Sequence, residues 1–232
     1  MKKNKPNIVV LSGAGISAES GISTFRDSNG LWENHSIHDV ATPDAWNRNS
    51  DLVNRFYNER RKQLFTVKPN DGHYSLLKLE SHFNVNIITQ NVDDLHEQAG
   101  SKNVLHLHGE LKKVRSSVNP NLIYDLEGWE LKAEDRCEEG SQLRPHIVWF
   151  GEAVPNIEVA ARITSKADIF IIVGTSLNVY PAAGLCDVIK NSTKIYLVDP
   201  ADVESKNLQN LTTIKSTAVN GLPLLVEKLL GE

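Results

Sequence analysis

Four apolar residues, Ile8 to Leu11, lead straight into Gly13-Ala14-Gly15-Ile16-Ser17, a strand pattern ending in a glycine turn. There a phosphate could approach backbone N–H groups that a side chain at Gly13 or Gly15 would cover, and a following helix would offer its positive end. With Ala18 in the third position, an ordinary strand-to-helix turn would read the same. Gln90-Asn91-Val92-Asp93 also stands where an apolar run ends, and in an open parallel sheet that edge holds ligands; Asn91 or Asp93 could equally cap a helix. His106-Leu107-His108-Gly109 closes the next run, with both imidazoles on one side of an extended chain. Histidine titrates near neutrality and so suits proton transfer. A metal pair is the other reading, but no third ligand is evident nearby.

These groups need a frame to hold them. Apolar runs recur at Ile8 to Leu11, Val85 to Thr89, Val104 to Leu107, Ile169 to Val173 and Lys194 to Val198. Between them lie segments of helical spacing, His73 to Ser81, Val92 to Ala99, Asn156 to Ser165, Pro181 to Asn191 and Pro223 to Leu230, the last with proline in its first turn. The alternation predicts an α/β fold, a Rossmann-like, mainly parallel sheet with helices on both faces. Two stretches break it, one helical and one polar and rich in turn residues. The expected division is a Rossmann-like domain of residues 1–32, 72–111 and 145–232, with a small inserted lobe of residues 33–71 and 112–144.

Composition narrows the classes. With 232 residues, 40% hydrophobic, the chain can bury one substantial core, and a net charge of −4 gives no general basic surface for nucleic acid or anionic lipid. No segment approaches membrane-spanning length. Only Cys137 and Cys186 are present, which argues against a disulfide framework and fits a reducing cytoplasm.

Taken in order, Gly13-Ala-Gly-Ile-Ser-Ala-Glu-Ser-Gly-Ile-Ser-Thr-Phe-Arg26, Gln90-Asn-Val-Asp93 and Leu107-His-Gly109 closely resemble the sirtuins, NAD-dependent protein-lysine deacylases. The resemblance implies NAD as cofactor and acyl-lysine proteins or peptides as substrates. It assigns Gly13, Ala14, Gly15, Ile16, Ala18, Phe25, Arg26 and Trp32 to the cofactor site. Asn91 and Asp93 would take the nicotinamide carboxamide and Gln90 a ribose, while Gly174, Thr175 and Ser176 would approach the phosphates and ribose. Asp199 and Ala218 stand where the family contacts adenosine, although Asp199-Pro-Ala departs from its usual pattern. His108 becomes the general base, which deprotonates a ribose hydroxyl so that the acyl group passes from lysine to ADP-ribose and nicotinamide leaves. The backbone from Val148 through Phe150 to Gly151 would pair with the substrate peptide as an added strand. An NAD glycohydrolase or mono-ADP-ribosyltransferase would share this site, and a silent NAD sensor would be expected to lack the base.

Between Asp51 and Phe65 the spacing puts Val53, Phe56, Tyr57 and Leu64 on one helical face, and Arg60 falls there too. Such an arginine can snorkel to solvent or pair with a neighbouring acid. The motif Tyr57-x-x-Arg60 also resembles that of sirtuins removing dicarboxylic acyl groups, and Ala41 is the small residue that leaves room for a longer acyl chain. The resemblance thus implies succinyl-, malonyl- or glutaryl-lysine as substrate, without choosing among them, with some deacetylation. It fails at the family's zinc: Ser116, Asn119 and Gly140 stand where cysteines would, leaving Cys137 alone. Four ligands are needed, so no structural zinc is expected and Leu122, Ile123, Tyr124, Leu126 and Trp129 should hold the lobe.

Overall fold

The computed structural model describes residues 5–22, 31–32, 35–203 and 208–231. Their strands are β1 (Asn7–Ser12), β2 (Leu31–Trp32), β3 (His35–Ser36), β4 (Asn84–Thr89), β5 (Val104–His106), β6 (Gly109–Ser116), β7 (Ile123–Asp125), β8 (Leu143–Ile147), β9 (Ile169–Val173), β10 (Lys194–Val198) and β11 (Leu211–Ile214). The helices are α1 (Ile37–Val40), α2 (Pro43–Arg48), α3 (Ser50–Leu64), α4 (Asp71–Leu79), α5 (Leu95–Ala99), α6 (Ile157–Thr164) and α7 (Ala218–Gly231).

A six-stranded parallel sheet runs in the order β11-β10-β9-β1-β4-β5. Its central strands are apolar on both faces, because both faces are covered. Ile8, Val10, Ile87 and Ile171 pack with Leu76 and Leu79 of α4 and with Leu222 and Leu225 of α7. Val9, Leu11, Phe170 and Ile172 point the other way, toward Ala160 of α6 and Leu185 of the 3-10 helix Ala182–Val188. Each such side chain contributes about 1.5–3 kcal/mol through burial. From β1 the chain moves outward to β4 and β5, then crosses to β9 on the other side of β1. That reversal opens a crevice at the carboxyl ends of β1 and β9, the ligand position of doubly wound sheets.

A second, antiparallel sheet has the order β7-β6-β8. It begins at Gly109, directly after His108, so one ribbon joins the end of the large sheet to the small one. A third cluster gathers Val53, Phe56, Tyr57 and Leu64 of α3 with Ala41, Leu111, Ile147 and Trp149.

Several expectations need correction. Helix α7 begins at Ala218, so Pro223 lies inside it; burial of Leu222, Leu225, Val226 and Leu229 outweighs the one hydrogen bond proline cannot make. Helix α5 is shorter than expected, because the Asp93 carboxylate accepts from Leu95 N–H and the preceding residues form a polar loop. Strand β11 and the small sheet went unpredicted, their strands being short or half exposed. The lobe is built on Val114, Leu131, Cys137 and Leu143, with Leu122, Tyr124 and Leu126 against them, whereas Ile123 and Trp129 stand outside this cluster and are partly exposed. No helix among the described residues is long and apolar enough to cross a membrane.

Candidate functional site

The glycine turn sits on the floor of the crevice. A Cβ on Gly13 would come within 2.7 Å of the Gly174 carbonyl oxygen, and one on Gly15 within 2.6 Å of the Gly174 Cα. Gly174 itself has φ +63°, which suits glycine. The N–H groups of Gly13 and Gly15, expected to face a phosphate, donate to the carbonyls of Val173 and Gly174 at 3.0 and 2.9 Å. The glycines therefore serve first to let the ends of β1 and β9 meet. Two 3-10 turns, Ala14–Ile16 and Ala18–Ser20, replace the expected helix, so no long helix dipole faces the crevice here. Asn70, the cap of α4, secures this turn by donating to the Ile16 carbonyl at 2.8 Å and to Ser20 Oγ at 2.9 Å.

The loop after β4 supplies a buried polar cluster. Ser17 Oγ donates to Asp93 at 3.0 Å and accepts from the Asn91 amide at 3.2 Å, while the Gln90 amide donates to Thr175 Oγ1 at 3.0 Å. Burial raises the Asp93 carboxyl to about 6, against hydrogen bonds from Leu95 and Ser17 that lower it. Thus Gln90, Asn91, Asp93 and Thr175 are brought together from two strand ends, with Ser17, which the sequence reading missed. Ser176 follows Thr175, and Asp199 lies buried at the end of β10, accepting from Ala201 N–H at 2.9 Å. Ala14 and Ala18 are part-buried in the turn, Ile16 is fully buried, and Ala218 starts α7 within the core. Phe25 and Arg26 lie outside the described residues, as does the side chain of Trp32.

His108 donates its Nδ1–H to the Gln90 carbonyl at 3.0 Å, because a carbonyl can only accept. Neutral His108 therefore carries its lone pair on Nε2, as a base requires. Burial pushes its pKa below 6.5, more than the Gln90 bond raises it. His106 differs: its Nδ1 meets the Asn91 carbonyl at 2.9 Å and its Nε2 meets Glu97 at 2.8 Å. Burial opposes its charge, but Glu97 and Asn91 prevail and raise its pKa, so His106 is a clamp on the Asn91 loop. Both ring nitrogens are engaged, which leaves it no lone pair for a metal. Among the described residues no cluster of three or more His, Cys, Asp or Glu could hold an ion.

Beyond His108, Val148 N–H donates to the His108 carbonyl at 2.9 Å and Phe150 N–H to the Ala41 carbonyl at 3.0 Å. Gly151 has φ +90°. Ala41 and Tyr57 are buried in one cluster with Trp149, whose indole N–H donates to the Tyr57 hydroxyl at 3.1 Å. Arg60 is part-buried with its guanidinium 5.3 Å from the Phe56 ring centre. The wholly buried arginine is its neighbour, Arg61, which donates to the carbonyls of Leu111 and Trp129 and to Asn58 Oδ1. A separate groove of about 630 Å³ between α3 and residues 129–134 contains none of the predicted site residues.

The Sir2 family pattern matches residues 13–181. The chain belongs to the Sir2 family. This sirtuin is 54% identical over 229 residues to a Bacteroides thetaiotaomicron protein named NAD-dependent protein deacylase, covering 97% of this chain and 98% of the relative. A Helicobacter pylori protein of the same name is 53% identical over 224 residues, covering 97% of each. Among solved structures, a Sir2 homologue in complex with NAD superposes with a TM-score of 0.88 at 36% identity, over 98% of this sirtuin and 90% of that chain. A Sir2 complex with a deacetylated p53 peptide and 3′-O-acetyl ADP-ribose gives 0.81 at 32% identity, over 97% and 94%.

Proposed function

We propose that this NAD-dependent protein deacylase removes succinyl and malonyl groups from lysine side chains in preference to acetyl. The observation that carries the reading is the motif Tyr57-x-x-Arg60 on α3, with Tyr57 buried in one cluster with Ala41 and Trp149. The phenol and guanidinium would bind the free carboxylate of a dicarboxylic acyl chain, and Ala41 leaves it room.

NAD supplies the electrophilic ribose carbon and the hydroxyl that takes over the acyl group. The residues at the switch-point crevice suit such a ligand: a buried amide and carboxyl, Asn91 and Asp93, for the carboxamide, with Gln90 and Thr175 for ribose and phosphate. Gly13 to Ala18, Phe25, Arg26, Trp32, Gly174, Ser176, Asp199 and Ala218 complete the cofactor site. His108 accepts the hydroxyl proton on Nε2, which the Gln90 carbonyl keeps unprotonated. The segment Val148 to Gly151 holds the peptide; its N–H groups at Val148, Trp149 and Phe150 are already committed, so the incoming strand meets its carbonyls. The lobe of residues 112–144 works without zinc, in the cytoplasm.

The purified protein, NAD and acyl-lysine peptides of one sequence test this reading, following free lysine peptide and O-acyl-ADP-ribose. The succinyl and malonyl peptides should give higher kcat/KM than the acetyl peptide, and Arg60→Met should lower desuccinylation far more than deacetylation. Equal losses would sink the acyl preference. Nicotinamide release without acylated peptide would point to a glycohydrolase.

A further inference from the structure

The backbone of Trp149 falls in the predicted peptide-binding segment. Its side chain has no predicted role, yet it is buried in one cluster with Tyr57 and Ala41 of the proposed acyl pocket. Only 2% of it is exposed. Its indole N–H donates to the Tyr57 hydroxyl at 3.1 Å, its ring packs 5.8 Å from that of Trp46, and the next peptide N–H, of Phe150, binds the Ala41 carbonyl. It has little room to swing. The Arg144 guanidinium lies 3.2 Å from its ring centre, and its own peptide N–H donates to Glu152 at 2.8 Å. Glu152 is in turn held by Arg144 at 2.8 Å and Arg115 at 3.1 Å.

Indole nitrogen can only donate, so in this pair the Tyr57 oxygen must accept. A hydroxyl rotor is otherwise free to turn; this one is pinned, with its hydrogen directed off the indole. Burial also pushes the Tyr57 pKa well above 10, so the phenol keeps that hydrogen at neutral pH. We infer that Trp149 is the specificity-setting positioning residue of the acyl pocket: by fixing the Tyr57 hydroxyl as an acceptor, it aims that hydroxyl's hydrogen at the carboxylate of an acidic acyl group. The inference rests on the acidic-acyl reading above and goes beyond it. An acetyl group has no carboxylate to receive the hydrogen, so the device discriminates between acyl classes rather than raising all rates.

The test compares wild type, Trp149→Phe, Tyr57→Phe and the double variant on succinyl- and acetyl-lysine peptides of one sequence, with the KM for NAD measured alongside. Trp149→Phe should lower the succinyl-to-acetyl ratio of kcat/KM about tenfold, leave the KM for NAD unchanged, and add nothing once Tyr57 is phenylalanine. Should Trp149→Phe fold poorly, replacing its indole by benzothiophene removes the donor and keeps the shape. Equal losses on both peptides would make Trp149 a scaffold only and overturn the inference. An unchanged ratio in Trp149→Phe beside a changed one in Tyr57→Phe would overturn it while leaving the acidic-acyl reading intact. An unchanged ratio in Tyr57→Phe would overturn both.

Discussion

His108 and Gln90 are joined by a hydrogen bond from the imidazole Nδ1–H to the peptide carbonyl, 3.0 Å long. One end of β4 thereby sets the tautomer of a side chain at the end of β5. Replacing His108 by alanine should cut deacylation roughly a hundredfold or more. Because burial lowers its pKa, the imidazole stays neutral to below pH 6.5, and the acid limb of kcat/KM against pH should lie below that value. A limb above 6.5 would contradict a buried, Gln90-bound base.

Asp93 has its carboxyl raised to about 6 from 3.8, chiefly by burial. Between those values the folded protein holds a proton that the unfolded chain has lost, so this group's contribution to stability falls as pH rises from about 4 through 6. The penalty above pH 6 is of the order of 3 kcal/mol. Asp93→Asn should therefore gain stability relative to wild type as denaturant midpoints are followed from pH 4 to 7. A difference independent of pH would mean that burial leaves the Asp93 carboxyl at its ordinary value.

Asn70 separates two roles within one side chain. Its Oδ1 caps α4 through Gly72 N–H, while its Nδ2 holds the Ile16 carbonyl and Ser20. Asn70→Asp keeps the cap but sets a carboxylate oxygen against the Ile16 carbonyl where the donor stood, so the Tm should fall and the KM for NAD should rise several-fold. Asn70→Ala should lose about 1 kcal/mol of stability as well. An unchanged KM in both variants would remove Asn70 from cofactor binding.

Arg61 bridges α3, β6 and the segment around Trp129 from a fully buried position. Arg61→Met leaves the carbonyls of Leu111 and Trp129 without this donor and should cost about 3 kcal/mol in chemical denaturation. A loss within 1 kcal/mol, about one ordinary hydrogen bond, would show that other groups or water take its place.

Where the family places zinc ligands, Ser116 Oγ lies 2.7 Å from Ser141 Oγ, which lies 3.0 Å from Cys137 Sγ. Ser116 also accepts from the N–H groups of Val118 and Asn119. Elemental analysis should find no stoichiometric zinc, and a chelator should leave the Tm unchanged, because hydrogen bonds do the fastening here. A chelator-induced drop would reveal a metal that folding depends on.

The sequence made the large sheet legible because its strands are buried on both faces and read as unbroken apolar runs, Ile169 to Val173 most plainly. The small sheet was hidden because β7 and much of β6 are half exposed and carry charges. At the site, Gln90, Asn91, Asp93 and His108 could be named from type and position. The partners that orient them could not, since Ser17, Asn70 and the Gln90 carbonyl are brought near only by folding. The cap at Asn70 did leave a signal, an Asn just ahead of a helical pattern. Arg60 and Arg61 adjoin in the chain, and periodicity alone does not say which is enclosed; the carbonyls of Leu111 and Trp129 decide it.

Strand β6 pairs with β8 at both ends, Gly109 facing Ile147 and Val114 to Ser116 facing Pro145 to Leu143, with a register shift between them. The ribbon is thus anchored like a springboard, with the imidazole at its fixed root and the 117–142 hairpin region at its tip. An engineer can trim or extend the tip, but a residue inserted between His108 and Gly109 would pull the proposed base away from the Gln90 carbonyl.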